Sequence, residues 1–96
     1  MQEKGFVYIL RSQKDGRRYI GSTNNVGRRL SQHNSGKVQS TKYRRPFIIE
    51  AALEYATLQE GRAWEKKFKS SSGALSRALM QQATTANFNN RGVVHR

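Results

Sequence analysis

The spacing of apolar positions changes period along this chain, and each change marks an element. Residues 5–11, GFVYILR, are rich in β-branched and aromatic side chains, and residues 17–21, RRYIG, repeat that character over a shorter span. The KDG between them is turn chemistry, because Asp15-Gly16 tolerates positive φ. The pair predicts a β-hairpin with one tyrosine on each strand, Tyr8 and Tyr19. Loop length decides where the two rings point. A two-residue loop at Asp15-Gly16 sets Tyr19 opposite Ser12, and a four-residue loop over residues 13–16 sets it opposite Leu10. Both put the rings on one face, and in the second they are diagonal neighbours about 7–8 Å apart. A three-residue loop sends them to opposite faces, since side chains alternate.

The period then becomes helical. In STNNVGRRLSQHNSG, residues 22–25 offer several N-cap candidates and Gly36 is a natural terminator, so a helix is predicted over about residues 25–34. At 100° per residue Val26, Leu30 and His33 form one stripe, Arg29 borders it, and Arg28 points to solvent. Arg29 and His33 are an i, i+4 pair. Residues 36–43 read as polar and flexible. The segment RRPFIIEAALEY predicts a third strand, with Pro46 at its start and an apolar run at 47–53 that suits a central position in a small sheet. TLQE is a capping box with Thr57 as N-cap and Glu60 at N3. It opens a second helix over about residues 58–69, whose inward face is marked by Leu58, Gly61, Trp64 and Phe68. KSSSG interrupts that helix, and a third, short one is predicted over about residues 74–82.

The elements together predict an α+β fold (an α/β sandwich). It consists of a small three-stranded, mainly antiparallel sheet that begins with a hairpin, flanked by about three helices. A single domain is expected over residues 1–83. The last stretch, ATTANFNNRGVVHR, lacks periodicity and reads as a loosely packed or disordered polar tail over 84–96. No apolar run approaches the roughly 20 residues of a membrane span, and no leader pattern opens the chain. A soluble, cytoplasmic protein without membrane partners is expected.

Charge adds what the pattern lacks. Eighteen Lys and Arg against six Asp and Glu give a net charge of +12, and between Lys4 and Ile49 the only acid is Asp15, set against ten basic residues. Such an excess concentrates polyanions and favours phosphate-backbone contacts. A nucleic-acid partner is the expectation, over a merely solvated basic surface or a ribosome-associated protein. Cysteine is absent, which excludes disulfides and thiolate metal sites, and two histidines are too few for zinc without carboxylates.

Candidate chemistry is carried by few residues. Glu65 falls on the covered side of the second helix, between Leu58 and Phe68, where a carboxylate is costly unless it is paired or binds a cation. Taken alone, it reads as half of an ion pair. The two tyrosines, taken alone, read as packing residues with wet hydroxyls, and Arg29 and His33 as ordinary helix residues.

Taken together, these residues resemble the catalytic domain of the GIY-YIG nuclease superfamily. Its second signature triplet is complete as Tyr19-Ile20-Gly21. In the first, Val7-Tyr8 stands where Ile-Tyr is usual and Phe6 replaces the leading glycine. NNVGRRLSQHNSG is similar to the family's first helix, which carries an arginine and, four residues on, a histidine, here Arg29 and His33. RRPF resembles the entry to the third strand, and RAWEKKFKSSSG the segment whose glutamate binds metal, here Glu65. The resemblance covers about residues 5–80. Where many members carry a lysine just after Tyr-Ile-Gly, this chain has Ser22-Thr23. Their C-terminal asparagine has three candidates here, Asn87, Asn89 and Asn90, and none is assigned a role.

The resemblance implies a metal-dependent endonuclease that hydrolyses DNA phosphodiester bonds, in DNA repair, recombination or processing, with one Mg2+ or Mn2+ as cofactor. Glu65 would hold the metal and Arg29 would stabilise charge on the phosphorus, its fork matching two phosphate oxygens. Tyr8 or Tyr19 would act as general base, the other positioning water or phosphate. Dense positive charge would favour a phenolate over the usual tyrosine pKa of about 10. His33 would hydrogen bond a tyrosine or the phosphate. Arg28, Lys42, Tyr43, Arg44, Lys69 and Ser70 would contact the DNA backbone. Family members often add a separate DNA-binding domain, and none is visible in these residues, so selectivity is expected to be low or supplied by a partner protein. The alternative is a non-catalytic nucleic-acid-binding module on the same fold. A ribosome-associated protein would instead prefer structured RNA.

Overall fold

The computed structural model describes the backbone of residues 3–89 and the side chains of residues 3–81. Strand β1 (Gly5–Ser12) turns into β2 (Arg18–Thr23), followed by helix α1 (Val26–Asn34), a single 3-10 turn (Lys42–Arg44), β3 (Phe47–Tyr55), α2 (Leu58–Ser70) and α3 (Ser72–Asn89). The architecture is the predicted α+β one, with a three-stranded antiparallel sheet and three helices. Backbone contacts divide the chain after Lys66 into two compact units. No helix among the described residues is long and apolar enough to cross a membrane.

The hairpin takes the four-residue loop. Gly16 N–H donates to the Ser12 carbonyl and Ser12 N–H to that of Arg17, both at 2.9 Å, and Gly16 adopts φ +73°. The Ser12 hydroxyl gathers the loop, accepting from the N–H groups of Lys14 and Asp15 and donating to the Arg44 carbonyl. The Asp15 carboxylate accepts from Arg17 N–H and from Arg44 Nε, and these bonds hold its pKa down to about 2. The register that results pairs Leu10 with Tyr19 and Tyr8 with Gly21, so both tyrosines lie on one face.

Sheet order is β2-β1-β3, which corrects the expectation that the third strand is central. β1 is the middle strand. Val7, Tyr8, Ile9 and Leu10 are all 0–2 % exposed, as residues covered on both faces and paired on both edges must be, whereas Ile48 and Ile49 of β3 are 47 % and 41 % exposed. The apolar run of 47–53 therefore decorates an edge. A bulge adds to this: Ile9 pairs with Ala51 but Leu10 with Ile49, leaving Glu50 as the extra residue. Its carboxylate pairs with Arg11 and Arg18, and these partners lower its pKa.

Tyr8, Leu10 and Phe47 form the core on the tyrosine face, with Tyr19, Val26 and Leu30 packed against them. α1 supplies the last two because Asn25 caps it, its side chain accepting from Arg28 N–H at 2.9 Å, and because Gly36, at φ +83°, lets the chain leave. The Asn34 side chain both donates to and accepts from the Phe47 backbone, tying the end of α1 to the start of β3. Residues 36–43, expected to be flexible, instead contain the buried Thr41 and lead into the 3-10 turn.

α2 starts where predicted. Thr57 accepts from Glu60 N–H at 3.0 Å, and Glu60 reaches back to Ala56 N–H at 3.1 Å, one residue earlier than an ordinary capping box. Its first turn lies directly on the backbone of β1. A Cβ on Gly5 would stand 2.5 Å from both the Thr57 carbonyl oxygen and the Leu58 Cα, and one on Gly61 would meet Phe6 N at 3.4 Å. Two glycines thus allow a close approach that larger residues would prevent. Trp64, expected on the inward face, is 38 % exposed and stacks on Tyr55 at the surface, with centroids 5.9 Å apart. The wheel sets it at the margin of the stripe, where a ring with a polar N–H is satisfied by one covered face.

In the second unit Phe68, Ala74 and Leu75 are buried. Ser71 interrupts the helices and caps α3, its hydroxyl accepting from Ala74 N–H at 3.2 Å. α3 begins two residues before the predicted start and runs to Asn89, beyond the predicted end at 82. Alanine, leucine, methionine and glutamine at 78–83 carry the helix by propensity alone, without an amphipathic period. The expected tail thus starts inside this helix, and its residues 90–96 lie outside the described residues.

Candidate active site

Four of the five proposed catalytic side chains meet at Tyr8. Its hydroxyl lies 3.0 Å from His33 Nε2 and accepts from Arg29 Nε at 3.3 Å. The Tyr8 and Tyr19 ring centroids are 6.2 Å apart, and His33 completes a triangle with them, 5.8 Å from Tyr8 and 4.9 Å from Tyr19, steeply inclined to both rings. Gly21 makes this geometry possible. It pairs with Tyr8 across the hairpin, and a Cβ there would stand 2.5 Å from the Tyr8 hydroxyl oxygen. The glycine of the Tyr-Ile-Gly triplet is the floor over which Tyr8 folds.

Glu65 joins them electrostatically. Its charge is among the causes that raise the Tyr8 pKa, and its Oε1 accepts a hydrogen bond from the Ser22 hydroxyl. Ser22 pairs with Val7, one residue beyond Gly21, so it leaves the sheet on the face opposite Tyr8. The constellation therefore straddles the edge strand β2. Gly61, one helical turn before Glu65, sets the carboxylate at that depth by bringing α2 onto β1.

Beside this edge is a cavity of about 260 Å³ whose lining includes Ser22, Arg28, Arg29, Gln32 and Arg62. Gln32 Oε1 accepts from Arg29 Nη1 at 2.8 Å, so Arg29 is held at two points. Arg28 is exposed and donates to Asn24 Oδ1 at 2.6 Å. Three guanidiniums in one concavity form a ready phosphate site.

Burial separates the two tyrosines. Tyr8 is 2 % exposed, and burial raises its pKa despite the hydrogen bond from Arg29; Tyr19 and Glu65 push the same way. Of the two phenols expected to supply the phenolate, Tyr8 is thus the disfavoured one in the protein itself. His33 is pushed down to about 4 by burial and by the Arg29 charge, so it is a neutral imidazole at pH 7. A raised phenol pKa and a lowered imidazole pKa both oppose moving the Tyr8 proton to His33. Tyr8 and His33 are a neutral, hydrogen-bonded pair. Tyr19, by contrast, is only half-buried and turns part of its ring to solvent.

The remaining proposed contacts are distributed unevenly. Lys42 stands over the ring of Tyr43, which is 71 % exposed, and both border a second cavity with Lys14 and Arg45. Arg44 is committed elsewhere, binding Asp15 and covering the Phe47 ring. Lys69 and Ser70 belong to the second unit and are exposed, the Ser70 hydroxyl donating to the Lys67 carbonyl. Sequence reasoning missed Ser22, Gln32 and Thr41. Ser22 follows the Tyr-Ile-Gly triplet directly, which is a signal; the other two gave none.

Among the described residues no three His, Cys, Asp or Glu side chains cluster as metal donors. Glu65 and the Ser22 hydroxyl supply hard oxygens at one point. That donor set fits magnesium or manganese, which accept one carboxylate completed by waters and a substrate phosphate. It does not fit a dedicated zinc site.

Comparison with known proteins supplies the context. The family model described as the GIY-YIG catalytic domain matches residues 4–78. A UPF0213 protein of Halalkalibacterium halodurans, BH0048, is 40 % identical over 65 residues, covering 67 % of this chain and 68 % of that protein. One from Streptococcus pneumoniae is 39 % identical over 70 residues, covering 72 % and 70 %. The solution NMR structure of BH0048 aligns with 82 % of this chain and 84 % of its own, at 35 % identity and a TM-score of 0.47.

Proposed function

This chain belongs to the GIY-YIG catalytic domain family, and from that premise we propose that it is a metal-dependent endonuclease acting on DNA phosphodiesters, its catalytic unit spanning residues 1–83. The observation that carries the reading is the meeting of Tyr8, His33 and Arg29, within reach of the Glu65 charge, beside a cavity lined by Arg28, Arg29 and Arg62. A core packing cluster has no use for a half-exposed arginine held at two points on the rim of a cationic cavity.

In this reading the scissile phosphate enters the cavity and Arg29 faces its non-bridging oxygens. Glu65, with Ser22 beside it, would hold Mg2+ or Mn2+, which would supply Lewis-acid charge. Tyr19 is the base: with its own proton first lost to solvent, its oxygen takes a proton from the attacking water as that water's oxygen bonds to phosphorus. The bond to the 3′ oxygen breaks, the departing alkoxide taking a proton from solvent. Tyr8 and His33 keep Arg29 in place. Lys42 and Tyr43, at the second cavity, contact flanking nucleotides.

Supercoiled plasmid incubated with the protein and Mn2+ is expected to be nicked, and a chelator to stop it. Plasmid that is shifted on a gel but intact would favour a DNA-binding module without catalysis. Preference for structured RNA would favour the ribosomal reading.

A further inference from the structure

His33 makes a second hydrogen bond, away from the tyrosines. Its Nδ1 lies 2.8 Å from Thr41 Oγ1, and both residues are fully buried. We propose that Thr41 is a positioning residue that fixes His33 in the Nδ1–H tautomer, and so aims the Tyr8 proton at His33 and the Tyr8 oxygen lone pair at Arg29.

Counting hydrogens leads there. Arg29 Nε is a donor only, so Tyr8 must accept from it. The phenol proton then needs an acceptor, and His33 Nε2, at 3.0 Å, is the one in reach among the described residues. A neutral ring accepts at Nε2 only if Nδ1 carries the hydrogen, which then requires Thr41 Oγ1 to accept. The Thr41 proton goes on to the Val38 carbonyl at 3.4 Å. In this direction every hydrogen has an acceptor, from Arg29 through Tyr8, His33 and Thr41 to Val38. The opposite direction has Thr41 donating to Nδ1. It brings two donors onto the Tyr8 oxygen and strands the phenol proton in a buried place, which folded proteins avoid.

The chain of bonds links a residue of the 36–43 segment to the guanidinium that faces the cavity. Thr41 touches neither substrate nor Arg29, so its influence passes entirely through the ring orientation and tautomer of His33. That influence on cleavage rests on the nuclease reading; the tautomer does not.

Long-range 1H–15N correlation of the 15N-labelled protein at pH 7 reads the tautomer directly, with the His95→Gln variant separating the two histidines. An Nδ1–H pattern for His33 is expected in the parent and in Thr41→Ser, and a mixed or Nε2–H pattern in Thr41→Val. An Nε2–H parent, or a Thr41→Val variant with the parent's pattern, would overturn the proposal. Should Thr41→Val fail to fold, the parent spectrum decides. In cleavage assays Thr41→Val is expected to lower kcat by about 10- to 100-fold with KM for DNA unchanged, and Thr41→Ser to restore it. A protein that cuts nothing but shows the Nδ1–H pattern would refute the nuclease and uphold the role of Thr41.

Discussion

Replacing Glu65 by glutamine is expected to reduce metal-dependent cleavage by about 10³-fold or more, the scale of losing a group that stabilises developing charge, with DNA affinity nearly unchanged. Glutamine has the volume of the acid and can still accept from Ser22, so the α2 contact with β2 should persist. What disappears is the carboxylate charge beside Ser22, and with it the proposed anionic ligand for Mg2+ or Mn2+. In the proposed reading DNA affinity would come mainly from the cationic excess of the chain, with Arg28, Arg29 and Arg62 at the cavity, and these are untouched. Single-turnover cleavage at saturating Mn2+, beside an anisotropy titration of labelled duplex, separates the two effects. Cleavage that survives in Glu65→Gln would remove this residue from the chemistry.

The second large effect is expected at Tyr19. Tyr19→Phe keeps the ring that packs edge-on against His33 and beside the Tyr8–Leu10–Phe47 core, and deletes one oxygen. If that oxygen takes the proton of the attacking water, the rate should fall by about 10²- to 10⁴-fold, with folding and binding intact. Tyr8→Phe should behave differently. It removes the acceptor for Arg29 Nε, a part-buried bond, and the donor to His33, a buried one, so its damage should extend to stability. Equal, purely kinetic losses in both variants would contradict the division of labour that burial imposes on the two phenols. A Tyr19→Phe protein as fast as the parent would leave Tyr19 a packing residue.

Much of this arrangement is legible before any coordinates. The hairpin follows from two β-rich runs around Asp15-Gly16, and the shared face of the tyrosines holds for two of its three plausible loops. The α1 stripe of Val26, Leu30 and His33 follows from periodicity and from the Asn25 and Gly36 ends. What local pattern misjudges is competition. The run at 47–53 looks as central as the one at 7–10, and only the pairing of β1 on both sides decides between them. Trp64 looks inward on a wheel, but Tyr55 offers it a surface partner. The largest gap lies in buried polar partners from distant positions. Thr41 is eight residues from His33, and Ser22 forty-three from Glu65; no spacing rule relates them. The choice between the two phenols is hidden for a related reason. A net charge of +12 suggests phenolate, yet burial, a local property of the fold, outweighs it.

Convergence of the acid, the guanidinium and the phenols around one cation is most directly tested by paramagnetic broadening. Substoichiometric Mn2+ is added to 15N-labelled protein in the presence of a short, uncleavable DNA duplex. Resonances of Glu65, Ser22, Gly21, Tyr8 and Arg29 are expected to broaden first and together. Broadening centred on the carboxylates of Asp15 or Glu50, with Ser22 and Tyr8 still sharp, would contradict it.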